Sequence, residues 1–380
     1  MKNLNHGPIV SRRSALAAVA ASAGALALAA CGNSEAPGAS SAAATTASSE
    51  IAGAFDAKGA TLTVSTWGFN SDQKRELVFA PFEKAFNCKI VTEEGNNGER
   101  LAKIQQKPEA YDVIQLSHYY AQQAIEAGLF AKIEKDKVPN LEGEYEKLRT
   151  PNGEDYGPAF TLTRVGIVYD KSVIKDEITS WADLWRSELA GKLAIPDFTT
   201  SAGPIMLNIA AAVNGQELSA DTADAAFKKL VELKPNVVKY YTKSSDVVNM
   251  FNQGEVSAAV ILDFSSLTIQ EASEDFVWVD PKEGTWATAN SSNVSAKSAN
   301  ADLAWAFVNY TLDKDEQQRN VATGDAPSRP DVTLTDEQAK GLAYGEDVIN
   351  ATELFDAALL AEHNKEWTDR WNKELNTSGK

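Results

Sequence analysis

The sequence predicts an α/β protein whose folded part makes two lobes around a cleft, each lobe a mainly parallel sheet flanked by helices. Three observations carry that prediction. From Ala60 onward, strand-like and helix-like stretches alternate, the rhythm that sets parallel strands in a sheet with helices on its faces. A second run of the same kind starts at Val165. The roughly 320 residues so covered are enough for two lobes at ordinary domain sizes.

Leu62-Thr63-Val64-Ser65-Thr66 reads as the first strand, residues 71–86 as a helix interrupted by Pro81, Lys89-Ile90-Val91-Thr92 as a second strand and 98–106 as a helix. Tyr111-Asp112-Val113-Ile114-Gln115-Leu116 is apolar on alternate positions and ends in Ser117. Ligands of such sheets bind beyond the carboxyl ends of the strands. Trp67-Gly68 and Ser117-His118-Tyr119-Tyr120 are therefore expected on one rim. In the second run, Val165-Gly166-Ile167-Val168-Tyr169 and Leu193-Ala194-Ile195-Pro196-Asp197 are strand-like, with a helix between them that Ser180 caps. Residues 201–213 and 222–233 read as helices, and Ser257–Leu262 as a buried strand leading to Asp263. Residues 300–319 and 354–373 close the chain as helices with Trp305, Trp367 and Trp371 on their apolar faces. Extended crossovers near 158–164 and 281–287 join the sheets. The expected division is lobe 1 from 60–160 and 286–325, lobe 2 from 161–285, and C-terminal helices 326–380 packing across both.

The chain has 380 residues, 43% apolar, with 36 Lys+Arg against 53 Asp+Glu and a formal charge of −17. That balance fits a soluble globular protein and excludes a nucleic-acid binder, which needs a basic surface. Two cysteines make no disulfide framework, and His6, His118 and His363 are scattered, so neither metal nor cofactor is expected. Lys2, Arg12 and Arg13 precede an apolar, small-residue stretch from Ser14 to Ala30. A charged start, a short apolar run and small residues before a cut describe a secretory signal over 1–30, too short for a spanning helix. Leu28-Ala29-Ala30-Cys31 resembles the lipobox of bacterial lipoproteins, which implies lipidation of Cys31 and anchorage of an exported chain to the bilayer. Ser11-Arg12-Arg13-Ser14 is similar to a twin-arginine signal, but Ala15 stands where a large apolar residue is usual. Residues 31–59 are rich in Ala, Ser, Thr and Gly and read as a flexible tether. Cys88 reads as buried and inert.

In their order the motifs resemble the solute-binding lipoproteins and periplasmic proteins of ATP-driven importers, in the branch that includes spermidine/putrescine-binding proteins. The resemblance covers nearly all of 61–380. It rests on Trp67, Tyr111-Asp112-Val113 running into Ser117-His118-Tyr119-Tyr120, Gly128-Leu129-Phe130, and Val165-Gly166-Ile167-Val168-Tyr169. Further on come Thr179-Ser180-Trp181-Ala182-Asp183-Leu184-Trp185, Lys234-Pro235-Asn236-Val237 and Gly254-Glu255-Val256. The resemblance implies a type II periplasmic-binding-protein-like fold whose lobes close by hinge bending and present a small ligand to a membrane ABC permease. It further implies a monomer without enzymatic activity, with a polyamine as the leading ligand.

Residue by residue, Trp67 matches the tryptophan that packs on the polyamine methylene chain, where an aromatic face attracts an alkylammonium by about 0.5–2 kcal/mol. Asn70 joins the same site. Ser117 and Tyr119 match a serine and a tyrosine at the ligand head, and Asp197 matches the family's acidic strand end. Asp263 falls beside a ligand-facing position, where an unpaired acid is costly unless it meets a cation; it suits a helix N-cap equally well. Departures are visible too. Where the family carries an aromatic and an amine-holding Asp, this chain has Trp286-Ala287-Thr288-Ala289-Asn290, and Asn290 is neutral. After Asp197 the hydroxyl-rich Thr199-Thr200-Ser201 could hold a carboxylate, phosphate or phosphonate at a helix N-terminus, with Arg164 adding a bidentate contact. Alternatively Thr200 or Ser201 only caps the helix and Arg164 pairs with a surface acid. An amine-bearing acid or phosphonate and a thiamine-like cation thus stand beside the polyamine. Iron-binding branches carry paired tyrosines where this chain has Asp263-Phe264-Ser265, so ferric ion is not expected. The rival class is an exported, lipid-anchored enzyme. It has no G-x-S-x-G, H-E-x-x-H or P-loop to rest on, only a carboxylate pair such as Asp197 and Asp263.

Overall fold

A computed structural model describes residues 51–376; the expected signal, Cys31 and the tether up to residue 50 lie outside the described residues. Ten strands form: β1 (Thr61–Thr66), β2 (Lys89–Glu94), β3 (Val113–Ser117), β4 (Ala159–Asp170), β5 (Leu193–Pro196), β6 (Val237–Tyr241), β7 (Ala258–Leu262), β8 (Phe276–Val279), β9 (Trp286–Val294) and β10 (Glu353–Leu354). They hydrogen-bond in the order β2-β1-β3-β9-β4-β7-β5-β6, with β10 on β9 and β8 on β4. The outer trios β2-β1-β3 and β6-β5-β7 are parallel, as the βαβ rhythm predicts. Between them β9 runs antiparallel to β3, β4 antiparallel to β7, and the two antiparallel to each other, while the short β10 joins β9 in parallel.

β4 is the strand that makes one molecule of two lobes. Its first half, Ala159 to Arg164, pairs with β9 on the lobe 1 side, and its second half, Val165 to Tyr169, pairs with β7 in lobe 2. Gly166 lies where the chain changes sheets, beneath the indole of Trp278, which a Cβ would meet at 2.2 Å. One apolar core gathers Leu62, Val64, Phe82, Ile90 and Phe307 behind the first trio. A larger one includes Leu193, Ile205, Phe227 and Val260 of lobe 2 together with Tyr119, Trp367 and Trp371. The closing helix Ala357–Glu374 brings Trp371 against Phe198, with ring centroids 5.6 Å apart.

Several elements differ from expectation for identifiable reasons. Pro81 does not interrupt its helix: Ser71–Lys74 and Ala80–Phe86 are α-helical and a π-helical turn, Arg75–Phe79, lies between them. The wider turn ends just before the proline, which then stands at the start of an α segment where its missing N–H costs little. Residues 300–319 form two helices, Ala301–Thr311 and Lys314–Asn320, because Asp313 caps the second by accepting from the Asp315 and Glu316 amides at 2.9 and 3.2 Å. Trp181–Trp185 is a 3₁₀ turn, with Ser180 and Asp183 forming the capping box. Residues 51–59 are packed rather than free: the Ala57 amide bonds the Phe86 carbonyl at 2.8 Å, and Phe55 stands edge-on to Phe86 at 5.3 Å. Ile51 and Phe55 are the large apolar residues that the segment before them lacks. Cys88 is half-buried, and burial pushes its thiol up to about 11, leaving it protonated at neutral pH.

Candidate functional site

The carboxyl ends of β1, β2, β6 and β7 open on one cavity of about 540 Å³, the size of an ordinary small-molecule site and where such sheets bind ligands. Lobe 1 contributes Trp67, Phe69, Asn70, Lys74, Glu94, Asn96 and Glu99, and lobe 2 contributes Thr200 to Ala202, Tyr241 to Ser245, Leu262 and Phe264. Thr163 of β4 and Asn290 of β9 line it from the crossovers. Phe69 and Phe264 meet across it, with ring centroids 4.6 Å apart.

Trp67, Asn70, Thr200, Ser201 and Asn290 are the predicted residues that line this cavity. The Trp67 ring already has a cation against it: the guanidinium of Arg100 sits 4.6 Å from its centroid. Arg100 is wholly buried, held by the carbonyls of Gly95 at 2.9 Å and Gln115 at 2.6 Å, and burial lowers it to about 9. The Trp67 indole Nε1 is buried and has no acceptor among the described residues. Asn70 adopts a left-handed backbone conformation (φ 50°), and its side chain donates to the Thr323 carbonyl at 2.9 Å. Asn290 is 8% exposed and Thr163 2%. Both line the cavity, and each has a buried side-chain oxygen with no partner among the described residues.

Ser117 and Tyr119 stand one layer back. The Asn97 amide donates to the hydroxyls of Ser117 and Ser201, both at 2.9 Å, and the Tyr119 hydroxyl donates to the Ser201 carbonyl. Tyr119 is fully buried rather than on the rim, and burial pushes its hydroxyl well up. Asp197 and Thr199 complete a turn that satisfies itself: the Asp197 carboxylate accepts from the Thr199 amide at 3.0 Å and hydroxyl at 2.6 Å, and from Asn376 at 2.9 Å. Gly203 donates to Thr200 at 3.1 Å. The helix begins only at Ile205, so the stretch expected to cradle an anion already holds one of the chain's own.

Arg164 and Asp263 face each other at 3.6 Å rather than a ligand, and Arg164 reaches Asp280 at 2.9 Å. Burial pushes Asp263 up to about 7, although the Arg164 charge and the Phe264 amide oppose this. Trp286 is not part of the cavity; it packs at the start of β9 against the larger core. Tyr240 and Tyr241 point to opposite faces of β6, Tyr240 onto Trp371 and Tyr241 to the Val260 carbonyl at 3.0 Å. No group of three or more His, Cys, Asp or Glu side chains suited to a metal ion occurs among the described residues.

Sequence reasoning missed Phe69, Lys74, Glu94, Glu99, Lys243, Ser244, Ser245, Phe264 and Asp325, all of which line the cavity. Glu94 was within reach of the rule that found Trp67, since it ends the second strand. Lys243 follows β6, whose Val-Val-Lys-Tyr-Tyr is largely exposed or half-buried and lacks the buried apolar run that marks a strand in sequence. Lys74 and Asp325 form an ion pair of 3.0 Å. Glu94 and Glu99 are exposed and have no ion-pair partner among the described residues.

Two lobes bridged by crossover strands, with one polar and aromatic cavity between them, define a periplasmic-binding-protein-like solute receptor. A family profile for bacterial extracellular solute-binding proteins matches residues 78–345, and the chain belongs to that family. The crystal structure of an ABC transporter protein from Clostridium perfringens is 42% identical, covers 83% of this chain and 100% of its own, and superposes with a TM-score of 0.71. A spermidine/putrescine-binding periplasmic protein of Haemophilus influenzae is 28% identical over 280 residues, 70% of this chain and 75% of its own length. Its Escherichia coli counterpart is 28% identical over 243 residues, 62% of this chain and 68% of its own length. The chain is thus the substrate-binding component of an ABC transporter, which takes a small-molecule ligand and works with a permease. Its relatives are transport proteins of the periplasm or cell exterior. No helix among the described residues is long and apolar enough to cross a membrane.

Proposed function

We propose that the chain is a monomeric receptor without enzymatic activity, anchored outside the cytoplasmic membrane by lipidated Cys31, that captures a small organic amine for its permease. Its lobes are 60–160 with 286–325, and 161–285, with 326–380 packing across them. The observation that carries the amine is the pair of exposed carboxylates, Glu94 and Glu99, in the wall that also holds Trp67. An ammonium there gains charge-assisted contacts that no cation among the described residues takes up in an ion pair. Kinship favours polyamines among the amines, since the relatives named above are spermidine/putrescine-binding proteins. Asp197 and Asp263 are engaged within the protein, so neither is free for acid–base work.

Calorimetric titration with putrescine, spermidine, thiamine and amine-bearing acids tests the reading. At least one amine should bind, and a Glu94→Gln/Glu99→Gln double variant should bind it at least tenfold more weakly. Binding indifferent to the double variant, or seen only with solutes that lack an amine, sinks the reading. For the anchor, Cys31→Ser should move the protein from the membrane fraction to the medium or periplasm; an unchanged membrane fraction counts against lipidation.

A further inference from the structure

The charges lining the cavity do not suit a cation at both ends. Lys74 and Asp325 cancel each other at 3.0 Å. Glu94 and Glu99 on the lobe 1 side are answered by Lys243 on the lobe 2 side, and Arg100 adds a positive charge beneath Trp67. Lys243 is exposed and immediately precedes the ten-residue helix Ser244–Gln253, which has no side-chain N-cap. That end of the cavity presents the Lys243 ammonium and the first amides of the helix at Ser244 and Ser245, while Asp246 in the same first turn does not line the cavity. A second ammonium would be repelled there. The alternative anion site, the turn from Asp197 to Gly203, is occupied by Asp197 itself. Between the two ends, Asn290 and Thr163 line the same cavity, are more than nine-tenths buried, and each carries a buried side-chain oxygen with no hydrogen-bond partner among the described residues. Buried polar atoms without partners are costly and are satisfied by what fills the site.

We propose that the ligand is dipolar, a small molecule with an amine at one end and a carboxylate or phosphonate at the other. The amine rests against Glu94 and Glu99. The anionic group meets Lys243 and the amides of Ser244 and Ser245, and Asn290 and Thr163 hydrogen-bond to polar atoms between the ends. This inference rests on the amine reading above and narrows it, making Lys243 the residue that separates an amino acid from a diamine.

The test is titration of the purified protein with 5-aminopentanoate, 2-aminoethylphosphonate and putrescine, repeated with Lys243→Gln. A dipolar probe should bind at least tenfold more tightly than putrescine. Lys243→Gln, a surface change that should leave the ligand-free unfolding midpoint in place, should weaken that probe at least tenfold and leave putrescine unchanged or tighter. Putrescine binding as tightly as the dipolar probes overturns the inference and leaves the amine reading standing. Dipolar binding that Lys243→Gln does not weaken overturns the placement of the anionic group and the inference with it. Failure of every amine probe overturns both.

Discussion

Asp263 is the residue where burial and charge disagree most informatively. Its carboxyl is wholly buried and pushed up to about 7, so the folded protein binds a proton that the unfolded chain releases near pH 4. A group raised in this way stabilises the fold below its unfolded pKa, and that contribution is lost as pH rises through its folded value. Asp263→Asn removes the titration. Urea unfolding of both proteins should therefore show the variant gaining on the wild type by about 2 kcal/mol between pH 5 and pH 8. A constant difference would mean that Arg164, at 3.6 Å, keeps the carboxylate ionised throughout. Arg100 is the converse case. It carries a buried charge satisfied by carbonyls, and truncation to Ala strands those acceptors and uncovers one face of Trp67. The expected cost is about 2–4 kcal/mol in denaturant midpoint, together with a change in indole fluorescence.

At the scale of elements, β4 is the most constrained piece of chain, since it pairs with β9, β7 and β8 in turn. Gly166 carries that constraint: a Cβ there would meet Trp278 at 2.2 Å, against a rigid indole rather than the end of a flexible chain. Gly166→Ala should destabilise by about 1–3 kcal/mol, and Trp278→Leu in the same chain should recover part of the loss. No recovery would place the strain in the backbone instead. Of the parallel trios, β1, β2, β3, β5 and β7 were legible because they are short apolar runs between helices, and the tryptophans of the closing helices because they sit on apolar stripes. β6 was not, because an edge strand with Val238 half exposed lacks the buried run that marks β7. With β6 went Lys243 and the lobe 2 end of the cavity. Asp197 and Arg164 were legible as polar residues at a strand end and a crossover, but neither lines the cavity, and whether a carboxylate meets a ligand or its own turn depends on long-range contacts such as that with Asn376.

For the whole molecule, what matters is how much of the affinity belongs to the cavity wall and how much to bringing the lobes together. Asn97 is fully buried, links Ser117 of lobe 1 to Ser201 of lobe 2, and does not line the cavity. Tyr119 and Tyr120 make similar reaches to the carbonyls of Ser201 and Phe198. A ligand that needs the closed arrangement binds with an apparent affinity reduced by the fraction of molecules that are closed. Asn97→Ala should lower that fraction, enlarge the ligand-free protein in small-angle scattering, and weaken every ligand by the same factor. A tenfold loss corresponds to about 1.4 kcal/mol. Glu94→Gln or Lys243→Gln should instead change the ranking of ligands with no change in size, because each alters one end of the wall. If Asn97→Ala also reorders the ligands, Ser117 and Ser201 touch the cargo directly, and the network behind the cavity is part of its recognition rather than of its closure.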